Sequence, residues 1–172
     1  MSGILKKIAF ITTSYRDTGP TQQLFNIISR LDREQFQPIL ISLTDPVKHD
    51  RFKCFEQLSI NTYSLGISKT SAILSFGQLK NLILEIKPHL IHSHGLLPDL
   101  LTVLSRLKIP HILTIRNAPF FDYPTKFGKI IGTIMACVHV LAIKACPTAV
   151  ACSQALQKTF LNYGVDAQVV RN

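Results

Sequence analysis

The chain has 172 residues, of which 47% are hydrophobic and 17% charged; this is enough for one domain with a real core and excludes both intrinsic disorder and two domains of ordinary size. Its 19 Lys and Arg against 10 Asp and Glu leave a formal charge of +9, a field that favours an anionic partner. The lysines are scattered singly, with no arginine-rich run and no aromatic stacking motif, so nucleic acid is not the expected partner.

In chain order, residues 7–13 (KIAFITT) form a short apolar, β-branched run ending in a loop with Gly19 and Pro20, and read as a buried strand entering a turn. Leu24, Ile27, Ile28 and Leu31 then mark one face of a helix. Residues 36–43 are the next strand, with Pro38 near its start, where a missing N–H does least harm. Residues 44–58 are looser, and 61–67 read as a third strand. Leu79, Leu82, Ile83 and Ile86 give a helix face stopped by Pro88. Residues 89–94 (HLIHSH) run as a strand into Gly95; Pro98 occupies the first turn of the following helix, with Leu100, Leu104 and Leu107 as its buried stripe. Residues 111–115 are another strand, and 125–145 read as a single helix. Residues 148–152 are a strand, Ser153 N-caps a helix reaching Asn162 and stopped by Gly164, and 167–170 are a last short strand. This alternation predicts an α/β fold: a Rossmann-like, doubly wound parallel sheet of six or seven strands, covered by helices on both faces, forming a single domain over residues 1–172.

The most membrane-like stretch, 130–143, is interrupted by Gly132, Thr133 and His139 and flanked by Lys129 and Lys144. It falls short of the roughly 18 apolar residues of a spanning helix, so a buried helix is expected. The apolar run after Lys6 and Lys7 breaks too early for a secretory signal. Cys54, Cys137, Cys146 and Cys152 lack any metal-ligand or redox spacing and read as core thiols of a reducing compartment, so no metal site and a cytoplasmic location are expected. No carboxylate lies between Tyr123 and Val165. Lys126, Lys129 and Lys144 in that stretch offer peripheral contact with an anionic membrane face, or are simply solvated.

Ligands of parallel sheets bind at the carboxyl edge of the strands, which singles out residues 14–21, 93–98, 116–123 and Ser153. Gly19-Pro20-Thr21 either brings backbone N–H groups and a helix N-terminus to an anion or is a plain turn; it is neither G-x-G-x-x-G nor a P-loop. Along the strand His92 and His94 point to one side and Ser93 to the other. His92 reads as a satisfied core histidine, whereas His94, beside Gly95, reaches the loop edge and suits a sugar hydroxyl or a phosphate. Arg116 suits a phosphate, and Asn117, Asp122 and Tyr123 carry the amide, carboxylate and phenol that bind sugar hydroxyls, a surface salt bridge being the alternative for Asp122. Ser153 either faces an anion or only caps its helix.

Taken in order, TGPTQQLFNIISRLD (18–32), PHLIHSHGLLPD (88–99), TIRNAPFFDY (114–123) and VACSQ (150–154) resemble the group 1, or family 4, glycosyltransferases of bacterial surface-polysaccharide assembly. The resemblance implies a GT-B enzyme: two Rossmann-like domains facing a cleft and moving a sugar, with retention and without metal or cofactor, from a nucleotide-sugar donor to a glycan or lipid-linked acceptor. It makes this chain the N-terminal, acceptor-side half. The C-terminal donor-binding domain, with its pair of glutamates eight positions apart, is expected to be absent, because Glu34, Glu56 and Glu85 have no such spacing; the isolated chain is expected to be inactive. By the same resemblance His94 is catalytic; with the loop chemistry above, Gly19, Thr21 and Ser153 become the expected donor or phosphate contacts, and Arg116, Asn117, Asp122 and Tyr123 the expected acceptor contacts. Two departures stand out. The first loop reads Gly19-Pro20-Thr21-Gln22 where many relatives have two glycines and a glutamate, and Arg116-Asn117 replaces a His-Asn pair, which suits a phosphate-bearing acceptor. The alternatives are an acceptor- or membrane-binding subunit of a split glycosyltransferase and a nucleotide-binding Rossmann domain of another enzyme class; the missing G-x-G-x-x-G and acidic ribose ligand weigh against the latter.

Overall fold

Short apolar runs separated by helical stretches can satisfy their backbone groups only by pairing side by side in parallel, because each return path is taken up by a crossover. The computed structural model, which describes residues 5–47, 52–67 and 75–171, shows that outcome. The elements run β1 (Lys6–Thr12), α1 (Gly19–Ser29), β2 (Phe36–Ser42), α2 (Phe52–Glu56), β3 (Asn61–Ser64), α3 (Phe76–Ile86) and β4 (Leu90–His94). They continue as α4 (Leu96–Leu104), β5 (His111–Ile115), α5 (Pro119–Phe127), α6 (Lys129–Ala145), β6 (Thr148–Ala151), α7 (Gln154–Leu161) and β7 (Gln168–Val169). Seven strands form one sheet in the order β3-β2-β1-β4-β5-β6-β7, and every neighbouring pair is parallel.

Strand alternation divides the core in two. On one face Ala9, Ile11, Ile39, Ile41 and Ile91 meet Leu79 and Ile83 of α3 and Leu101 of α4. That face continues through Leu113, Ile115, Ala149 and Ala151, which meet Val140 and Ile143 of α6 and Phe160 of α7. On the other face Ile8, Phe10 and Leu40 pack against Leu24 and Ile28 of α1 and Phe55 of α2. Farther along this second face Ile112, Thr148 and Val150 are only half-buried.

Three details differ from the sequence reading. The expected single helix over 125–145 is two helices, because Gly128 turns the chain at a φ of +83°, open only to glycine without strain. Asp122 and Tyr123 therefore sit on α5 rather than in a loop. The buried side of α4 is Pro98, Asp99, Leu101 and Thr102, while Leu104 is 41% exposed; polar partners, not leucines, chose the face. The looser segment contains α2, pinned by the buried Phe55.

One contact sets how α5 lies on α6. A Cβ built on Gly132 would strike the backbone of Tyr123 and Pro124, so the two helices touch backbone to backbone. Alanine would gain about 1 kcal/mol of helix propensity there, but the clash is with main chain that cannot rotate away. We therefore expect Gly132→Ala to destabilise the fold by about 3 kcal/mol in urea unfolding. Stability equal to or above the parent's would show that the helices separate freely.

Candidate functional site

β4 delivers its last residue, His94, to the carboxyl edge of the sheet, and Gly95 at a φ of +99° turns the chain at once into α4. His92 and His94 lie on the α1 side with ring centroids 4.1 Å apart, both beside Phe10. His92 Nε2 meets Thr114 Oγ1 at 2.7 Å, and burial, followed by the Arg116 and His111 charges, lowers its pKa to about 3. It is a satisfied core histidine.

His94 is 5% exposed, so it does not stand out into the open cleft as expected; it forms part of a pocket wall. Burial first, then His92 and Arg116, keep its pKa well below the ordinary histidine value. An Arg116 Nη2–H donates to His94 Nδ1 at 2.7 Å. A guanidinium can only donate, so the neutral ring carries its proton on Nε2, and this buried N–H has no partner in the protein. Arg116 also donates from Nη1 to the Pro20 carbonyl at 2.9 Å, while its Nε is buried without a partner. Burial lowers the Arg116 pKa to about 10, with Asp99 and Cys152 opposing that shift, so the guanidinium stays charged at neutral pH. Among the described residues no carboxylate forms an ion pair with it. A pocket of about 260 Å³ gathers Pro20, His94, Arg116, Asn117, Tyr123 and His139.

The other side of the sheet supplies a continuous polar chain. Ser93 Oγ donates to Asp99 Oδ1 and so accepts from His111 Nε2 at 2.7 Å; His111 Nδ1 faces the Cys146 thiol at 3.5 Å. Burial lowers the His111 pKa and raises that of Cys146 to about 11. Asp99 Oδ2 accepts from His139 Nε2 at 3.0 Å. His139 Nδ1 lies 2.7 Å from the Tyr123 hydroxyl, and in the neutral ring it accepts from that hydroxyl. Tyr123 keeps its proton, its pKa raised to about 12 chiefly by burial, with a hydrogen bond from the Asn117 side chain opposing that shift, and it lines both this pocket and its neighbour.

A second pocket of about 720 Å³ adjoins the first and is lined by Arg116, Asn117, Asp122, Tyr123, Lys126 and Phe127 among others. The four residues expected to hold the acceptor are thus together. Asp122 accepts from the Ala118 N–H at 2.8 Å and holds the start of α5. The three residues expected to hold donor phosphate are more scattered. Gly19 opens α1 in free space, and the buried Thr21 hydroxyl is engaged with Thr18 Oγ1 at 3.1 Å. Neither lines these pockets, although Pro20 between them does. Ser153 caps α7, accepting from Leu156 N at 3.2 Å, and stands outside both pockets. Sequence reasoning missed Asp99, His111 and His139. For His139 a signal existed: it falls in phase with Gly132, Ala136 and Ile143 on the buried face of α6, and a buried imidazole requires partners.

Residues 18–172 match the family model Glycosyltransferase Family 4. An Escherichia coli protein named O-antigen biosynthesis glycosyltransferase WclY is 30% identical over 143 residues, covering 76% of this chain and 35% of its own length. The chain thus spans about a third of the length of the curated relatives it matches. Among solved structures, Anabaena Alr3699/HepE in complex with UDP superposes with a TM-score of 0.69 at 19% identity, over 96% of this chain and 44% of that one. A UDP-N-acetylglucosamine 2-epimerase from Rickettsia bellii superposes with a TM-score of 0.66 at 14% identity, over 97% and 44%. At such identities the structures share the fold alone, and one fold accommodates differently named enzymes.

The buried histidines give the folded chain a pH dependence. His92, His94 and His111 have folded pKa values below 6.5, so below about pH 6.5 the unfolded chain takes up protons that the folded chain refuses. Their contribution is fully present above pH 6.5 and is lost as the pH falls toward the folded pKa values. Each ring that stays neutral in the fold while it is charged in the unfolded chain adds about 1.4 kcal/mol per pH unit to the slope. Urea midpoints should therefore drop steeply from pH 7 to pH 5; equal midpoints would mean that the rings are charged in the folded state.

Proposed function

Because the chain belongs to glycosyltransferase family 4, we propose that residues 1–172 are the N-terminal, acceptor-side domain of an enzyme that transfers a sugar from a nucleotide-sugar donor to a glycan or lipid-linked acceptor of surface-polysaccharide synthesis. The transfer retains configuration at the sugar and uses neither metal nor cofactor, the nucleotide sugar being a substrate. The donor-binding half lies in a further domain or a partner chain, so this chain alone has no turnover. The E. coli relative named for O-antigen biosynthesis supports the polysaccharide assignment, and the UDP of the Anabaena structure supports the donor class.

The observation that carries this reading is the Arg116–His94 pair in the pocket wall: a guanidinium with no carboxylate partner among the described residues, holding a neutral imidazole whose Nε2–H is buried without a partner. An enclosed charge without a counter-ion is costly, and an anionic ligand group offsets that cost. As the bond between sugar and phosphate breaks, the His94 Nε2–H donates to a sugar oxygen and the Arg116 field stabilises the departing negative charge. On the facing wall, the Tyr123 oxygen accepts from an acceptor hydroxyl, with Asn117 and Asp122 beside it. Among the described residues no helix is long and apolar enough to cross a membrane. With Lys126, Lys129 and Lys144, the reading adds peripheral contact at the cytoplasmic membrane face.

In the longer enzyme, supplied with a panel of nucleotide sugars, His94→Ala should lower kcat by about 100-fold or more while far-UV circular dichroism stays unchanged. His92→Ala should instead act mainly on the melting temperature. Parental turnover by the His94→Ala enzyme would overturn the assignment.

A further inference from the structure

α6 is apolar on both sides. Its inner side buries Gly132, Ala136, His139, Val140 and Ile143. Its outer side carries Ile130 at 78%, Ile131 at 62%, Ile134 at 60% and Leu141 at 64% exposure, and Phe121 on the neighbouring α5 is 73% exposed. At 100° per residue, Ile130, Ile134, Cys137 and Leu141 fall at 0°, 40°, −20° and 20°, approximately one stripe along the helix. A helix at a protein–water boundary carries polar residues there, so a contiguous apolar outer stripe marks a contact surface.

We propose that this outer face of α6, with Phe121, is a membrane-docking surface that seats in the boundary between headgroups and acyl chains of an anionic bilayer. It rests on the peripheral contact included in the proposed function and changes its nature, from lysines held above a charged surface to an inserted apolar stripe flanked by them. Charge identifies the occupant. Lys126 and Lys129 stand at the α5–α6 break and Lys144 at the far end of α6, with no carboxylate between Tyr123 and Val165. A second copy of this face would bring cations against cations, whereas lipid phosphates satisfy them and acyl chains cover the isoleucines. The 17-residue helix lies along such a surface rather than through it.

Docking in this way has a consequence for the acceptor. Lys126, Phe127 and Met135 belong both to the α5–α6 pair and to the lining of the 720 Å³ pocket, together with Asn117 and Tyr123. The pocket therefore opens beside the bilayer, where an acceptor headgroup on a lipid enters without leaving the membrane.

The test is co-sedimentation of the 172-residue chain with vesicles of phosphatidylcholine alone and of equal parts phosphatidylcholine and phosphatidylglycerol, at low and high salt. The parent chain should bind the anionic vesicles, and high salt should reduce that binding without abolishing it. Ile130→Ser/Ile134→Ser/Leu141→Ser, which leaves the charge unchanged, should weaken binding by about tenfold or more with unaltered circular dichroism. Lys126→Ala/Lys129→Ala should lose only the salt-sensitive part. Parental binding by the triple serine variant, with loss in the lysine variant, would overturn insertion and leave the electrostatic contact of the proposed function standing. Absence of binding to either vesicle would overturn both. A concentration-dependent dimer that the serine variant abolishes, without vesicle binding, would assign the face to a second copy and overturn the proposal.

Discussion

Asp99 is a carboxylate enclosed beneath a parallel sheet, and the shape of one whole wall of the site follows from satisfying it. A buried charge is tolerated only where donors converge on it, and here they come from different parts of the chain: Ser93 on β4 and His139 on α6. His139, held by the carboxylate, then fixes the hydroxyl of Tyr123 on α5. One negative charge thereby ties a central strand to three helices. The bonds to Asp99 have a forced direction, because a carboxylate only accepts, and a neutral His139 ring then accepts the hydrogen bond of the Tyr123 hydroxyl.

The opposite wall is built on the contrary principle. Arg116 binds a carbonyl and an imidazole but meets no carboxylate among the described residues, and its contact leaves the His94 N–H unmatched. The two walls meet at the carboxyl edge of the sheet, one internally complete and the other short of an acceptor and a negative charge. That asymmetry gives the pocket a direction: anionic and oxygen-rich groups fit against β4 and β5, and hydroxyl donors fit against α5. The neutral state of His94, enforced by burial and by its cationic neighbour, keeps the unmatched wall from carrying two positive charges in contact.

Much of the fold was legible in the sequence because it rests on apolar periodicity. The buried strand runs around Ile11, Ile41 and Leu113 and the stripe of Leu79, Ile83 and Ile86 announce themselves by spacing. That Arg116 comes near His94 was legible from the strand pattern, since one follows and the other ends a strand at the same sheet edge; the hydrogen bond between them was not. What escaped the sequence is governed by single residues that break a pattern. Gly128 splits the single helix expected over 125–145, and Asp99 turns α4 so that a polar side faces inward while Leu104 faces out. The outer stripe of α6 escaped for another reason: a helix apolar all round reads as buried, and only the tertiary structure shows which half has no cover.

The order of the strands also bears on how the chain is made. β1 sits inside the sheet between β2 and β4, and the hydrogen bond from the Lys7 amide to the His89 side chain spans 82 positions of sequence. During synthesis at roughly 5 to 20 residues per second, that separation corresponds to about 4 to 16 seconds. For that interval β1 has β2 on one edge and an open ladder on the other, an exposed template for wrong pairing. The chain thus emerges from the ribosome with an interior strand unfinished, and the arrival of β4 completes the sheet's centre at the same time as it brings His94 to the pocket.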